Sequence, residues 1–419
     1  MPKPSASSAK HAQLSVRLSP RGVARLQGRH PWAYRSDLII EKNAQKDILP
    51  GAMVRVFEAH EKGERGKFLG TALYSSSSQI AIRMISHGSV ADLPALIAER
   101  IHAAVAYRKE FVTNTDAYRV VFSEADFLPG LIVDRYNDVL SVQILTQAMD
   151  SAPAREAIVQ TLRKEGALMP AGIPAGIIER VDPRIRDLEQ LPPRPSGPLF
   201  GDKTSTVINM NGIRFHYDGL EGQKTGAFLD QRENYAAAAR YAHGEALDVF
   251  CYHGGFALHL ALDPSAKCSS VIGVDSSRPA LEMAEKNAAL NGREMEWIEA
   301  NAFDLLREYS AADRHYDTIV LDPPAFAKSK RDLEKALRGY KELNLRALKM
   351  LRPGGILVTC SCSFHVSPAD FMGVVADAAR DAHKDLRVIE NRGAAKDHPI
   401  LLNVPETSYL KCVMLYMSN

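Results

Sequence analysis

The chain has 419 residues, of which 46% are hydrophobic and 24% are charged, so it has the composition of a globular protein and the length of two or three domains. No apolar segment follows the first lysines and no stretch reaches membrane-spanning length, so we expect neither a signal peptide nor a membrane anchor. The five cysteines lack CxxC spacing, which argues against a disulfide framework or a metal site and favours the cytoplasm.

The net charge of +2 conceals an uneven distribution along the chain. Residues 1–89 contain 14 Lys and Arg against 6 Asp and Glu and carry +8, whereas the remaining 38 basic and 44 acidic residues leave −6. A basic first segment suggests contact with a polyanion. A solvated basic surface without a partner is an equally good interpretation at this point.

The first half of the chain predicts two small units. Residues 1–11 are polar and are expected to be disordered. Short alternating segments separated by Gly and Pro over 12–88 predict a small β-rich domain. Over 89–200 we expect an α+β domain, with helices near 92–113 and 153–165 and a hairpin or meander around Pro129-Gly130. The Pro- and Gly-rich run 191–202 is the clearest linker candidate.

Residues 201–419 are predicted to form the largest domain, and from about residue 245 its pattern is clear. The apolar runs are "EALDVF", "SVIGVD", "EWIEA", "DTIVLD" and "GILVTCS". Helical stretches separate them, and this alternation predicts an α/β domain with a doubly wound, largely parallel sheet.

The ends of these strands suggest a ligand site. Asp248 precedes a turn with Gly254-Gly255, and Asp275 follows 20 residues after Gly255, where an acidic side chain can accept hydrogen bonds from a ribose. Nothing supplies a phosphate cradle, so a nucleoside without phosphates fits best, which points to S-adenosylmethionine. The alternative is that each Gly or Asp merely forms a turn.

The chain resembles class I S-adenosylmethionine-dependent RNA methyltransferases, and most closely the RlmI family of 23S rRNA (cytosine-5) methyltransferases. The stretches that carry the resemblance are "RHPWAYRSDL" (29–38), "SEADFLPGLIVDRY" (123–136), "KTGAFLDQREN" (224–234), "DVFCYHGGF" (248–256), "VDSS" (274–277), "LDPPAF" (321–326) and "SCS" (361–363). This resemblance implies an N-terminal PUA-like RNA-binding domain, an α+β middle domain and a C-terminal Rossmann-like methyltransferase domain.

The resemblance also implies which residues bind the cofactor. In this sequence they are Thr225, Gly226, Phe228, Asp230, Gln231, Arg232, Asp248, Phe250, Tyr252, Gly254, Gly255, Asp275, Asn301, Ala302 and Asp322. Asp230 and Arg232 would anchor the amine and carboxylate of the methionine, because an Arg fork suits a carboxylate. Asn301, which stands where an Asp is common, would contact the adenine.

Cys362 is the predicted nucleophile. Carbon 5 of cytosine becomes nucleophilic when a thiolate adds to carbon 6, which requires a Cys beside the cofactor at a partly open position. The family cysteine lies in "SCS", which matches Cys362, whereas Cys360 is expected to pack in the core. Asp322 would face the base and offset charge. The alternative for Cys362 is an inert buried thiol.

Several points stay open in the sequence. The expected partner is 23S rRNA or a precursor of the large ribosomal subunit, and the resemblance suggests a homodimer. The base that removes the carbon 5 proton is unassigned. One rival is an RNA methyltransferase that acts on a base nitrogen through "DPPAF", and another is a noncatalytic RNA-binding ribosome-assembly factor.

Overall fold

The computed structural model describes residues 14–39, 48–59, 65–169, 172–220, 227–327 and 329–418. The predicted disorder of residues 1–11 therefore lies outside the described residues. Among the described residues, no helix is both long and apolar enough to cross a membrane.

The N-terminal part forms a mixed sheet. Its elements are β1 (Ser15–Leu18), α1 (Pro20–Gln27), β2 (Trp32–Tyr34), β3 (Leu38–Ile39), β4 (Met53–Ala59), β5 (Arg65–Tyr74) and β6 (Ile80–Ser86). The strand order is β2-β6-β5-β4-β1-β3. Helix α1 interrupts the expected run of strands, because Ser19 caps its first turn and Pro20 is its first residue.

The middle part forms a second sheet with order β11-β10-β9-β8-β7. Its elements are α2 (Leu93–Phe111), β7 (Ala117–Phe122), β8 (Leu131–Tyr136), β9 (Val139–Ile144), α3 (Ala152–Lys164), β10 (Gly176–Glu179), α4 (Pro183–Leu188) and β11 (Gly197–Gly201). The two predicted helices and the meander are confirmed. The linker predicted over 191–202 is partly wrong, because its second half is strand β11, paired antiparallel with β10.

The C-terminal part contains a hairpin and then alternating strands and helices. Its elements are β12 (Ser205–Met210), β13 (Ile213–Asp218), α5 (Arg232–Tyr241), β14 (His243–Val249), α6 (Gly255–Leu262), β15 (Lys267–Asp275), α7 (Arg278–Leu290), β16 (Glu296–Glu299), α8 (Ala302–Ala311), β17 (Tyr316–Leu321), α9 (Leu333–Met350), β18 (Leu351–Ser361), α10 (Pro368–Asp381), β19 (Leu386–Arg392) and β20 (Lys411–Met417).

These strands form a sheet with order β16-β15-β14-β17-β18-β20-β19. The pairings from β16 to β18 are parallel, and β20 pairs antiparallel with both β18 and β19. Apolar clusters cover both faces, one including α5 and α6 and the other including α8, α9 and α10. The predicted doubly wound α/β fold is confirmed, with an antiparallel edge that the sequence did not predict.

Candidate active site

The carboxyl ends of β14, β15, β17 and β18 meet at one edge of the C-terminal sheet, since these strands are parallel. Asp248, Asp275, Asp322 and Cys362 lie at or beside these four ends. The structure thus brings these four predicted residues to the same edge, where open α/β sheets bind ligands. Among the described residues, no cluster of His, Cys, Asp and Glu is arranged to hold a metal ion.

The loop between β14 and α6 has an unusual backbone. Phe250 and Tyr252 have φ values of 68° and 49°, and Gly254 has a φ of 84°. A Cβ atom on Gly255 would lie 2.5 Å from the ring of Tyr235. Left-handed conformations of non-glycine residues are costly and cluster at ligand sites. The two glycines let this strained loop pack closely against its neighbours.

Asp275 holds this loop in place. Its Oδ2 accepts a hydrogen bond from the backbone N–H of Tyr252 at 3.0 Å, and its Oδ1 accepts one from Ser277 at 2.9 Å. Each carboxylate oxygen can accept a second hydrogen bond. Asp275 therefore keeps acceptor capacity for a ligand hydroxyl while it fixes the loop.

Asp248 is fully buried and incompletely paired. Its Oδ2 accepts a hydrogen bond from the backbone N–H of Ala257 at 2.8 Å, whereas its Oδ1 has no partner among the described residues. Burial, with the nearby charges of Asp322 and Asp275, raises the pKa of Asp248 to about 8. A buried polar atom without a partner requires an explanation, and a ligand at this edge would provide one.

Asn301 caps helix α8. Its Oδ1 accepts hydrogen bonds from the backbone N–H groups of Phe303 at 3.0 Å and Asp304 at 3.3 Å. Ala302, the first residue of the helix, is buried. The side-chain oxygen of the residue expected to contact the adenine thus caps the helix, a use that Asn and Asp serve equally well.

The segment before α5 reaches the same edge. Thr225 and Gly226 lie outside the described residues. The side-chain amide of Gln231 donates a hydrogen bond to Asp322 at 3.0 Å, and Asp230 accepts one from the hydroxyl of Tyr409. The half-exposed ring of Phe228 packs edge-on against Tyr252, with 5.1 Å between ring centroids.

Arg232 does not contact Asp322 or the other residues at this sheet edge in the way that Gln231 does. Its guanidinium is buried, lies 3.3 Å from Oδ1 of Asp397 and donates to the carbonyl of Thr113 at 3.4 Å. Asp397 also accepts a hydrogen bond from the backbone N–H of Arg119. This arrangement argues against the predicted role of Arg232 as an anchor for the methionine carboxylate, because the guanidinium connects parts of the fold instead.

Asp322 follows β17 in a buried position. Burial and the charge of Asp230 raise the pKa of Asp322 to about 7, although the hydrogen bond from Gln231 lowers it. A carboxyl group with this pKa is present in both protonation states near neutral pH. It can therefore donate or accept a proton there.

The two cysteines at the end of β18 have different environments. Cys360 is fully buried in the core, opposite Cys412 in the neighbouring strand. Cys362 is half-buried, and its Sγ lies 3.9 Å from the carbonyl oxygen of Pro323. Burial, then the charges of Asp322 and Asp230, raise the pKa of Cys362 to about 12. All five cysteines are free thiols.

A cavity of about 780 Å³ opens between the middle and C-terminal parts of the chain. Its lining includes Asp230 and Phe228 from the C-terminal part and Arg180 and Arg184 from the middle part. Arg232 is absent from the described lining. The cavity thus connects the predicted cofactor segment with basic residues of the middle part.

Sequence analysis did not predict a role at the site for two residues near Cys362, Tyr340 and Lys411. The hydroxyl of Tyr340 hydrogen-bonds to the hydroxyl groups of Ser361 at 3.0 Å and Ser363 at 2.9 Å. Lys411 donates to the carbonyl oxygen of Ser363 at 2.6 Å. Neither belongs to a local motif, and Lys411 starts a strand that was not predicted, so no sequence signal would have found them.

Two family models match the chain. One describes an S-adenosylmethionine-dependent methyltransferase and matches residues 196–415, and the other describes a PUA-like domain and matches residues 16–87.

Full-length relatives and a solved structure are also similar to the chain. The ribosomal RNA large subunit methyltransferase I of Shewanella denitrificans is 39% identical over 407 residues, which is 95% of this chain and 98% of that protein. The protein of the same name from Photobacterium profundum is 37% identical over 94% of this chain and 96% of its own. The crystal structure of SMU.776 complexed with SAH superposes with a TM-score of 0.77 at 19% identity, covering 96% of this chain and 99% of that one, which shows a shared fold.

Proposed function

The chain belongs to the ribosomal RNA large subunit methyltransferase I family of S-adenosylmethionine-dependent methyltransferases, and from this premise we propose that it methylates carbon 5 of a cytosine in 23S rRNA through a covalent bond to Cys362. One observation carries the proposal. The half-buried thiol of Cys362 interacts electrostatically with the buried carboxyl group of Asp322, at the sheet edge where open α/β folds bind ligands.

The residues at this edge fit S-adenosylmethionine. The unpaired Oδ1 of Asp248 and the strained loop at Phe250 and Tyr252 are features of a ligand site. We propose that Asp275 binds the ribose hydroxyls and that Asn301 and Ala302 lie against the adenine. When bound, S-adenosylmethionine supplies a methyl group activated by its sulfonium charge.

Cys362 would act as the nucleophile. Its thiolate forms a bond from Sγ to carbon 6 of the cytosine, which makes carbon 5 electron-rich. After carbon 5 is methylated, loss of its proton restores the ring double bond, breaks the Sγ–C6 bond and returns the thiolate. We assign no residue to the removal of that proton.

Asp322 would act as the acid that balances this addition. As Sγ bonds to carbon 6, negative charge develops on ring nitrogen 3, and a protonated Asp322 can donate its proton there. When the Sγ–C6 bond breaks, nitrogen 3 returns this proton to the carboxylate of Asp322. The pKa of about 7 keeps a large fraction of Asp322 protonated at neutral pH. Oδ1 of Asp322 accepts the hydrogen bond from Gln231, so we propose that Oδ2 of Asp322 faces the base.

The N-terminal part would bind the RNA. The PUA-like match covers residues 16–87, and residues 1–89 carry the charge of +8. A basic module is suited to the phosphate backbone of RNA. We propose domain boundaries at 12–88, 89–200 and 201–419, supported by the separate sheets β1–β6, β7–β11 and β14–β20.

The test is a comparison of modified nucleosides in 23S rRNA. RNA from a strain that lacks the protein is digested and analysed by mass spectrometry after complementation with the wild type, Cys362→Ala or Cys360→Ala. We expect the wild type and Cys360→Ala to restore one 5-methylcytidine and Cys362→Ala to restore none. Restoration of a base methylated on nitrogen would overturn the carbon 5 assignment.

A further inference from the structure

Lys411 places a buried amine next to the segment that carries Cys362. It is the first residue of β20 and pairs with Ser361 of β18. Its Nζ donates hydrogen bonds to the carbonyl oxygens of Ser363 at 2.6 Å and Tyr409 at 2.8 Å, and the residue is 6% exposed. Ser363 directly follows Cys362, so the amine lies beside the end of the strand.

Lys411 has no carboxylate partner among the described residues. Its contacts there are the two carbonyl oxygens and an electrostatic interaction with Cys362. Burial lowers the pKa of Lys411 to about 8, so a neutral amine is accessible near physiological pH. A buried cation without a carboxylate is costly, and a thiolate would compensate it.

The surroundings of Cys362 otherwise disfavour a thiolate. Burial and the carboxylates of Asp322 and Asp230 raise the pKa of Cys362, and the hydroxyl of Tyr340 is occupied by Ser361 and Ser363. Among the described groups that interact with Cys362, Lys411 is the cation, and it lowers the pKa. A nearby cation is one of the features that lower the pKa of nucleophilic cysteines.

The hydrogen bonds of Lys411 suit a proton acceptor. A neutral amine has two N–H groups and one lone pair. The two carbonyl oxygens take the two N–H groups, which leaves the lone pair free to accept a proton. After protonation, both carbonyl hydrogen bonds persist and the amine carries a positive charge that interacts with Cys362.

We propose that Lys411 is the positioning residue that generates the Cys362 thiolate. The S–H bond breaks, the electron pair stays on sulfur, and the proton passes through solvent to form a new N–H bond on Nζ, so that an ammonium group and a thiolate lie at the same strand end. This inference rests on the proposed role of Cys362 as the nucleophile.

Alkylation of Cys362 in the full-length protein tests this proposal without RNA or methyl donor. Wild type, Lys411→Met and Lys411→Arg are treated with iodoacetamide between pH 6 and 9.5, and each cysteine is followed by peptide mass spectrometry. Cys268, a partly exposed thiol on β15, serves as the internal reference in every sample. Buried Cys360 reports unfolding.

We expect Lys411→Met to slow alkylation of Cys362 at pH 8 by about 10-fold or more, which corresponds to a rise of at least one pKa unit. Cys268 should react at its wild-type rate. Lys411→Arg keeps a cation, so its rate of Cys362 alkylation should stay within about threefold of the wild-type rate. Its pH profile should lack the titration of the lysine.

Equal rates for Cys362 in wild type and Lys411→Met at every pH would overturn the proposal, as would an equal slowing of Cys362 and Cys268. If Cys360 becomes labelled in Lys411→Met, that variant is unfolded and Lys411→Arg provides the test instead. Faster labelling of Cys362 than of Cys268 in Lys411→Arg supports the proposal. Labelling of Cys362 as slow as that of Cys268 overturns it. Failure here is distinguishable from failure of the nucleophile assignment, which is read from methyl transfer by Cys362→Ala.

Discussion

The side-chain amide of Gln231 donates a hydrogen bond to Oδ1 of Asp322, with 3.0 Å between the heavy atoms. The oxygen of the same amide accepts a hydrogen bond from Asn234 at 2.7 Å, which fixes its orientation. Since the amide stabilises the ionised carboxylate, it opposes the rise in the pKa of Asp322 caused by burial and Asp230.

Gln231→Leu should therefore raise the pKa of Asp322. The protonated form then persists to higher pH, and the alkaline limb of the pH–rate profile should move up by roughly 0.5 to 1 pH unit, because a hydrogen bond contributes about 1 kcal/mol and a pKa unit about 1.4 kcal/mol. Initial rates of methyl transfer to 23S rRNA between pH 6 and 9 provide the measurement. Gln147→Leu, at a buried glutamine of the middle part, is the matched control and should leave the limb unmoved.

Asp248 should make the protein less stable as the pH rises. Its carboxyl group holds a proton up to about pH 8 in the folded chain, but only up to about pH 3.9 when unfolded. The folded state thus binds more protons between these values, so stability falls with increasing pH. Asp248→Asn removes this titration. Its free energy of unfolding, relative to that of the wild type, should therefore increase by about 2 to 4 kcal/mol from pH 5 to pH 8. Urea unfolding at both pH values measures this gain, and a difference that does not change with pH would contradict it.

Asp397 should have the opposite pH dependence. Burial alone would raise its pKa, but His398, Arg232 and the backbone N–H of Arg119 lower it below the usual value. Its stabilisation is therefore complete above pH 4 and is lost as the pH falls further. Asp397→Asn should cost about 3 kcal/mol at pH 7, because it leaves the buried Arg232 guanidinium with only the partly exposed carboxylate of Glu233, 3.5 Å away, as its counter-charge.

The matched control for Asp397 is an exposed ion pair. Glu282 lies 3.3 Å from Arg278 on the surface of α7, with both side chains about half exposed. Glu282→Gln should change the unfolding free energy by less than about 0.5 kcal/mol. Similar losses in the two variants would show that the Arg232–Asp397 pair is not essential to the packing of the domain.

Gly255→Ala should weaken the binding of S-adenosylmethionine. The added Cβ would lie 2.5 Å from the ring of Tyr235, so either the ring or the loop must move. Overpacking of this kind costs about 1 to 3 kcal/mol, which corresponds to a loss of affinity of about 5- to 150-fold if the loop moves. Calorimetric titration checks the result. Gly373→Ala, in α10 with open space around its Cβ, should bind as the wild type does.

Most of the parallel sheet was predictable because each strand is a short apolar run between helical stretches. Strands β14 to β18 lie where those runs predict them, and parallel pairing alone brings their carboxyl ends together. The position of Cys362 beyond Cys360 follows from this geometry. The N-terminal strands and helices α2 and α3 were predictable for the same local reasons.

The parts that were missed depend on contacts between distant residues. The linker prediction over 191–202 did not anticipate the pairing of β11 with β10. The burial of Arg232 depends on Asp397, which lies 165 residues later in the chain. Lys411 reaches Ser363 because β20 pairs antiparallel with β18, an arrangement that no local pattern indicated.

The most direct test of the covalent mechanism uses 23S rRNA in which cytidines are replaced by 5-fluorocytidine. Fluorine on carbon 5 cannot leave as a proton does, so the enzyme stays attached to the RNA after methyl transfer. Wild type and Cys360→Ala should form an RNA–protein adduct that resists denaturation, and peptide mapping should place the RNA on Cys362. If Cys362→Ala forms the same adduct, or methylates unmodified RNA at the wild-type rate, the account of this site is wrong.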